Sequence, residues 1–125
     1  IGDGGNPPLL IGDRLAREQA QNLSTHLGSI VRLTDTGRPA PNNPFVGRSG
    51  ARPEIWSYGH RNIQGMTRDP RTGRVWANEH GPRGGDELNL IRRGGDFGWP
   101  LTTYGRDYRT GEPIGRRFVR GTVQP

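Results

Sequence analysis

The sequence predicts an all-β protein in which short antiparallel strands are joined by long, irregular loops. Glycine (21) and proline (11) make up about a quarter of the 125 residues, and hydrophobic residues only 29%. This composition is typical either of many turns or of disorder. Trp56, Trp76 and Trp99 lie inside short patterned apolar runs, which favours strands. About six short strands bounded by turn residues resemble the four-stranded repeats of a β-propeller, so the chain is predicted to supply about two blades.

The first third of the chain contains the only predicted helix. Residues 1–12 are predicted to be a strand end followed by a Gly/Pro loop. In residues 13–27, Asp13 as an N-cap and a thin apolar stripe at helical spacing predict one or two helical turns. Residues 29–33 alternate between apolar and polar side chains and end in a turn, which predicts a strand.

The middle of the chain contains a long loop and a hairpin. Residues 38–53 hold four prolines and are predicted to form an extended surface loop. Residues 54–58 are predicted to form the next short strand. Residues 66–70 and 74–79 are predicted to pair as a hairpin, since turn-forming residues separate them.

The last predicted strands are residues 87–92 and, within a loop-like C-terminal region, residues 117–123. Two blades alone would leave strand edges uncovered, whereas a closed propeller removes such edges. The sequence is therefore expected to belong to a larger structure.

The net charge is +6, and all 18 basic residues are arginine. Arginine can bind phosphate or carboxylate through its planar guanidinium fork. The arginines occur singly or in pairs, such as Arg92-Arg93, whereas nucleic-acid-binding proteins more often cluster charge on one face. Most arginines are predicted to be solvated and structural, and no nucleic-acid partner is expected.

Several kinds of site are excluded by the sequence. The absence of cysteine excludes disulfides, thiolate metal sites and cysteine nucleophiles. No segment approaches the apolar length of a membrane span. No Gly-x-Ser-x-Gly nucleophile elbow occurs, and Gly2-Asp3-Gly4-Gly5 lacks the spacing of a phosphate-binding loop.

Two polar loops that follow strands, residues 58–65 and 78–87, are the candidate functional segments. Arg61 and Asn62 offer a rigid cation and an amide, a pair able to polarise a carbonyl or bind a carboxylate. A structural arginine bonded to loop carbonyls gives the same pattern, so both interpretations stay open.

The histidines allow similar alternatives. His60 and His80 are candidates for a base or for metal ligands, although a histidine hydrogen-bonded within a turn is the commoner case. His26 has no acidic or cysteine companion in the sequence and is predicted to be structural.

Acidic residues suggest a cation site. Asp86 and Glu87 follow a glycine pair, with Asp96 and Asp107 downstream. Carboxylates beside glycine-rich backbone suit Ca²⁺, although the spacing does not match a helix–loop–helix calcium loop. Pairing with nearby arginines explains these residues equally well. The residues alone therefore indicate a β-rich chain with a polar loop face suited to a cation.

A series of longer motifs resembles a known family. The motifs are Gly59-His60-Arg61-Asn62, Gln64-Gly65, Glu79-His80-Gly81-Pro82, Asp86-Glu87-Leu88-Asn89-Leu90-Ile91 and Gly94-Gly95-Asp96-Phe97-Gly98-Trp99-Pro100. Upstream, Ile1-Gly2-Asp3, residues 21–33 and Asn43-Pro44-Phe45 fit the same family in the same order. Together they resemble the soluble glucose/sorbosone and aldose sugar dehydrogenases that depend on pyrroloquinoline quinone (PQQ).

The resemblance implies that residues 1–125 are a partial domain of a six-bladed antiparallel β-propeller, with PQQ and Ca²⁺ at one mouth of its channel. It implies that Arg61 and Asn62 hydrogen-bond the reactive quinone oxygen, where negative charge develops during hydride transfer. It also implies that Gly81 and Pro82 offer backbone carbonyls to the Ca²⁺ that binds PQQ.

A second, structural Ca²⁺ is also implied by the resemblance. Glu87 and Asp107 resemble its carboxylate ligands, with main-chain oxygens near Phe97 and Thr103 completing the site. His80 would lie at the cofactor mouth and is assigned no role.

Other parts of the family pattern lie outside this chain. The general-base histidine of the family precedes Ile1-Gly2-Asp3, and the lysine and arginine that clamp the PQQ carboxylates lie beyond Pro125. Ile63 stands where proline is usual. The chain is therefore expected to be an internal piece that needs the remainder of its own propeller and does not oxidise sugar by itself.

The predicted function is oxidation of an aldose at C1 to the lactone by hydride transfer to PQQ, with an electron acceptor as a further partner. A periplasmic or secreted location is expected. The alternative is a non-catalytic propeller segment that acts as a sugar- or protein-binding module.

Overall fold

The computed structural model describes residues 10–11 and 16–125. Its elements are strand β1 (Leu10–Ile11), a 3₁₀ helix (Arg17–Gln21), and strands β2 (Ser29–Val31), β3 (Ile55–Ser57), β4 (Ile63–Arg68), β5 (Val75–Glu79) and β6 (Glu87–Leu90). The strands form two antiparallel sheets, in the orders β1-β2-β3 and β4-β5-β6. The prediction of an all-β chain that supplies about two blades is confirmed.

The hairpin of β4 and β5 is closed by the turn predicted from its sequence. The Asp69 carboxylate accepts a hydrogen bond from the backbone N–H of Arg71 at 2.9 Å and another from the Thr72 hydroxyl. Gly73 in this turn has a φ of 71°, a conformation that favours glycine. Strand β4 begins three residues earlier than predicted, because the pairing with β5 extends back to Ile63.

The two sheets share a hydrophobic core. Ile30 of β2, Ile63 of β4 and Ala77 of β5 pack together with Ile91 and Phe97. Since the cluster draws side chains from both sheets, neither sheet buries its apolar face alone.

A second cluster lies under the long loop at residues 38–53. Phe45 from this loop packs with Val31 and Ile55, and the Asn43 amide donates to the carbonyls of Arg32 and Pro53 at 2.8 and 3.0 Å. The loop has no regular strand, as predicted, but it is not purely a surface segment because it contributes to the core.

After β6 the chain returns beside the end of β3. The Tyr58 N–H donates to the Gly95 carbonyl at 3.0 Å, and the Trp99 N–H donates to the Gly59 carbonyl at 2.9 Å. Gly59 has a φ of 76°, and a Cβ there would lie 2.4 Å from the Asp96 Oδ1 atom. This close approach requires glycine and brings Trp99 beside the loop that carries Arg61.

Two predicted elements differ from the structure. Residues 117–123 form no strand, so that prediction is wrong; Val123 instead donates its N–H to the Asp96 carbonyl at 2.7 Å. The predicted helical turns within residues 13–27 form only as the short 3₁₀ helix, and Asp13 lies outside the described residues. Beyond this helix the Asn22 side chain accepts the Ser24 N–H at 3.0 Å, which competes with helical hydrogen bonding.

Candidate functional site

Glu79, the last residue of β5, lies at the centre of the candidate site and is only 6% exposed. Its Oε1 atom accepts hydrogen bonds from His60 Nδ1 at 3.1 Å and from Asn89 Nδ2 at 2.9 Å. Its Oε2 atom accepts the backbone N–H groups of Arg61 at 2.7 Å and Asn62 at 3.3 Å. One carboxylate therefore joins β5, β6 and the loop between β3 and β4.

The charge of Glu79 follows from these contacts. Burial by itself raises the pKa of Glu79, but the hydrogen bond and charge of His60 and the N–H groups of Arg61 and Asn62 oppose this effect. The net result is a pKa below the ordinary value. The carboxylate is therefore ionised at neutral pH.

His60 belongs to a buried polar array. Its ring is stacked on Phe97 with centroids 4.5 Å apart, and its Nε2 atom lies 2.9 Å from Ser57 Oγ. Because Nδ1 faces an acceptor-only carboxylate, it carries a hydrogen. Ser57 and His60 are both 0% exposed, so substrate cannot reach them. The array supports the structural interpretation of His60.

The Arg61 guanidinium extends toward aromatic rings and a backbone carbonyl. Its Nη1 atom donates to the His80 carbonyl at 2.8 Å, and its Cζ atom lies 5.5 Å from the Trp99 ring centroid and 6.0 Å from that of Tyr108. The Asn62 carbonyl accepts the His80 N–H at 3.0 Å. Both members of the predicted Arg61–Asn62 pair are thus attached to the start of the loop after β5.

In that loop two backbone carbonyl groups lie close to Gly81. A Cβ on Gly81 would lie 2.2 Å from the Gly84 carbonyl oxygen and 2.3 Å from that of Gly85. Arg83 has a φ of 48°, unusual for a residue other than glycine. The Gly81 N–H donates to Asp86 Oδ1 at 2.9 Å. Tight folding of this loop therefore depends on glycine at position 81.

Pro82 is attached to the segment that follows Trp99. Its carbonyl accepts the Arg106 N–H at 2.7 Å. A Cβ on Gly105 would lie 2.5 Å from the same oxygen. The predicted carbonyl ligand Pro82 therefore also holds residues 105–106 against the loop.

Glu87, the first residue of β6, is a partly buried carboxylate. Burial raises its pKa to about 7, with a further increase from the charge of Glu79, while the hydrogen bond from Asn89 opposes both. The Asn89 Nδ2 atom lies 3.1 Å from Glu87 Oε2. A carboxylate with this pKa is one that a bound cation would stabilise in the charged form.

Asp107 lies in a turn of its own. Its Oδ1 atom accepts the N–H groups of Arg109 at 2.9 Å and Thr110 at 3.1 Å, and these bonds lower its pKa. Its Oδ2 atom lies 3.9 Å from Arg17 Nη2. One carboxylate oxygen of Asp107 is thus committed to stabilising its turn.

A small, open pocket lies between these elements. Trp99 lies on its wall together with the predicted site residues Arg61, Gly81, Glu87 and Thr103 and with His80, which was predicted at the cofactor mouth without a role. The predicted site residues that do not line it are Asn62, Pro82, Phe97 and Asp107. The fold therefore places Arg61, which is predicted to contact the quinone, and Glu87, which is predicted to bind a metal ion, at the same pocket.

Sequence reasoning missed the central role of Glu79 and its partner Asn89. A signal was present in β5, because alternation places Glu79 on the same side of the strand as buried Ala77. The prediction that His26 has no acidic companion is also wrong, since its Nε2 atom lies 2.5 Å from Glu54 Oε1. That pair joins residues far apart in the sequence.

Among residues 10–11 and 16–125, no group of three or more histidine, cysteine, aspartate or glutamate side chains is placed to hold a metal ion. A cation at this pocket would therefore depend on backbone carbonyls as well as carboxylates, which Ca²⁺ accepts. Within the same described part of the chain, no helix has the length and apolar character needed to cross a membrane.

The family model for glucose/sorbosone dehydrogenases matches residues 8–125. This chain belongs to that family. Aldose sugar dehydrogenase YliI of Escherichia coli is 48% identical over 120 residues, which cover 94% of this chain and 32% of that protein. The chain thus spans about a third of the length of this curated relative.

Solved structures of the family have the same fold. A crystal structure of a glucose dehydrogenase superimposes with a TM-score of 0.90 at 49% identity, covering 94% of this chain and 35% of that one. The PQQ-bound form of aldose sugar dehydrogenase from Streptomyces coelicolor superimposes with a TM-score of 0.70 at 34% identity, covering 91% and 29%. The expected family and fold are confirmed.

Proposed function

We propose that this chain is part of a PQQ-dependent aldose sugar dehydrogenase that oxidises the sugar at C1 to the lactone by hydride transfer to the quinone. The observation that carries the proposal is the pocket lined by Arg61, Trp99 and Glu87. The PQQ named in the Streptomyces coelicolor structure supports the choice of cofactor.

The residues on the quinone side fit a planar, electron-accepting group. When bound, PQQ supplies the hydride acceptor and Ca²⁺ supplies positive charge beside it. Arg61 places a permanent positive charge at the pocket, and its stacking on Trp99 and Tyr108 holds the guanidinium in place before any ligand arrives. Asn62 adds an amide next to it. Preorganised donors of this kind stabilise negative charge that develops during a reaction.

The residues on the metal side fit a hard cation. Gly81 and Pro82 are the proposed carbonyl ligands of the Ca²⁺ that accompanies PQQ. The Gly84 and Gly85 carbonyl oxygens lie beside Gly81, and the Pro82 carbonyl would be shared with the Arg106 N–H that it already accepts. Glu87 is a proposed ligand of a second Ca²⁺. Asp107 is proposed to join it through Oδ2, because Oδ1 is used by its own turn. A raised pKa and a position on the pocket wall support Glu87 more strongly than Asp107.

Reconstitution of the full-length protein with PQQ and Ca²⁺ tests the proposed function. The expected result is a change in quinone absorbance on binding, followed by aldose-dependent reduction of an artificial electron acceptor. Replacement of Arg61 by alanine is expected to reduce turnover, whereas Arg48→Ala is a matched control because Arg48 stacks on Phe45 away from the pocket. Absence of PQQ binding by the wild-type protein would contradict the proposal and favour a non-catalytic sugar- or protein-binding module.

The proposal extends to location and partners. A periplasmic or secreted enzyme would meet free aldoses and pass electrons to a separate acceptor, and the remaining blades would close the propeller around this segment. Cell fractionation with an antibody against the chain tests the location.

A further inference from the structure

We propose that Glu79 is a positioning residue, whose buried carboxylate sets the backbone of Arg61 and Asn62 and links this pair, through Asn89, to Glu87. The inference deepens the proposed function and rests on it for the roles of Arg61 and Glu87. The contacts of Glu79 with Arg61, Asn62 and Asn89 lie within this chain and do not depend on that function.

The Glu79 carboxylate is surrounded by hydrogen-bond donors. Each oxygen of Glu79 accepts two hydrogen bonds: His60 and Asn89 donate to Oε1, and the N–H groups of Arg61 and Asn62 donate to Oε2. An ionised carboxylate accepts at all of these positions, whereas a glutamine would turn an NH₂ group toward donors on one side. The arrangement therefore requires glutamate itself.

The N–H groups of Arg61 and Asn62 both point at the same oxygen of Glu79. Arg61 and Asn62 are consecutive, and their amides converge on one oxygen at 2.7 and 3.3 Å. This contact fixes the backbone from which both side chains extend. On the other side of the carboxylate, His60 is itself held by buried contacts with Ser57 and Phe97. Glu79 is thus held from both sides.

Asn89 connects Glu79 to Glu87, the proposed metal ligand. Asn89 is 1% exposed, and its Nδ2 atom donates to Glu79 Oε1 at 2.9 Å and to Glu87 Oε2 at 3.1 Å. Both hydrogens of the amide are therefore used between the two carboxylates. A shift of Glu87 toward a bound cation would be transmitted by one amide to the carboxylate that holds Arg61 and Asn62.

The test compares Glu79→Gln with a control in the full-length protein. Asn43→Ala is the matched control, because Asn43 is 2% exposed and its amide also holds two loop segments together, but away from the pocket. Amide hydrogen exchange is measured at Arg61 and Asn62 without PQQ. The absorbance of bound PQQ and its single-turnover reduction by aldose are then measured, together with kcat and KM.

In Glu79→Gln, exchange at both amides is expected to accelerate at least about tenfold, and PQQ reduction to slow by about 10–100-fold, as for other residues that orient a site's contacting groups. The effect should fall on kcat rather than on KM for the sugar, and the spectrum of bound PQQ should shift. Asn43→Ala should lower the unfolding midpoint without these changes. Equal behaviour of the two variants would overturn the inference.

A second variant covers failure of Glu79→Gln to fold. Asn89→Leu removes one of the donors that hold the Glu79 carboxylate. The carboxylate should then be held less firmly against the Arg61 and Asn62 N–H groups, so faster exchange at both amides is again expected, by a smaller factor. Unchanged exchange would contradict positioning. If the wild-type protein does not bind PQQ, the proposed function fails, while the exchange measurement still decides whether Glu79 positions the loop.

Discussion

His60 Nδ1 lies 3.1 Å from Glu79 Oε1, and the two side chains are 1% and 5% exposed. The residues are nineteen positions apart in the sequence. Their contact fixes the loop before β4 against the end of β5, so the stability of the sheet and the geometry of the candidate site depend on the same pair.

Replacement of His60 by phenylalanine is expected to destabilise the protein by about 3 kcal/mol. The ring contact with Phe97 can be retained, but Glu79 loses one donor while it remains buried. Urea unfolding of the full-length protein measures the change. The control is His26→Phe, where the partner pair is more open, with His26 36% exposed. The free energy of unfolding of His26→Phe should fall by no more than about 1 kcal/mol. Equal decreases in His60→Phe and His26→Phe would contradict the importance of burial.

The raised pKa of Glu87 predicts that the stability of the protein depends on pH. Its pKa is raised from 4.5 to about 7 in the folded protein, so between these values the folded state holds a proton that the unfolded state has released. The free energy of unfolding contributed by this group therefore falls as pH rises through this window, and the loss is complete above it.

Glu87→Gln should remove that fall, because glutamine does not titrate. Without added Ca²⁺, the variant is expected to match the wild type near pH 4 and to exceed its stability at pH 8 by about 1–2 kcal/mol, after allowance for partial solvent access. Glu18→Gln, at an exposed position of the 3₁₀ helix, is the control. Parallel stability curves for wild type and Glu87→Gln would show that the burial effect is absent.

Substitutions of Arg61 can separate the effect of its positive charge on catalysis from the effect of its planar shape. Arg61→Lys keeps the positive charge but loses the planar group that stacks on Trp99 and Tyr108 and bonds the His80 carbonyl. If Arg61 stabilises developing negative charge, kcat of the reconstituted enzyme should fall by about 10²–10³ in Arg61→Ala, with a smaller loss in Arg61→Lys. Identical kcat in all three proteins would remove Arg61 from the reaction.

Gly59 and Gly37 provide a matched pair for backbone strain. Both have positive φ values, 76° and 80°, but a Cβ at Gly59 would meet Asp96 Oδ1 at 2.4 Å and one at Gly37 would meet nothing within 4 Å. Gly37→Ala should lower the free energy of unfolding by about 1 kcal/mol, because alanine is strained at this φ even without a clash. Gly59→Ala should cost a further 1–3 kcal/mol, roughly, from overpacking. Thermal or urea unfolding of both variants checks the difference.

Local sequence patterns predicted much of the fold. Alternation and turn residues located β2, β3 and the β4–β5 hairpin, because strand periodicity and turn chemistry depend on neighbouring residues. The pattern failed at residues 117–123, which form no strand; Val123 donates a single backbone hydrogen bond to Asp96 in the segment after β6. It also missed the burial of Phe45, since a proline-rich loop gives no periodic signal.

Composition and motifs are enough to predict the all-β class, the family and the polar loops that contain Arg61 and Glu87. That one buried carboxylate, Glu79, joins His60, Asn89 and the Arg61–Asn62 backbone is visible only in the folded chain. The tertiary structure also decides that Arg61 and Glu87 line one pocket while Asp107 serves its own turn. The physical reason is that these contacts join residues distant in sequence, and their hydrogen-bond geometry exists only after the sheets have packed.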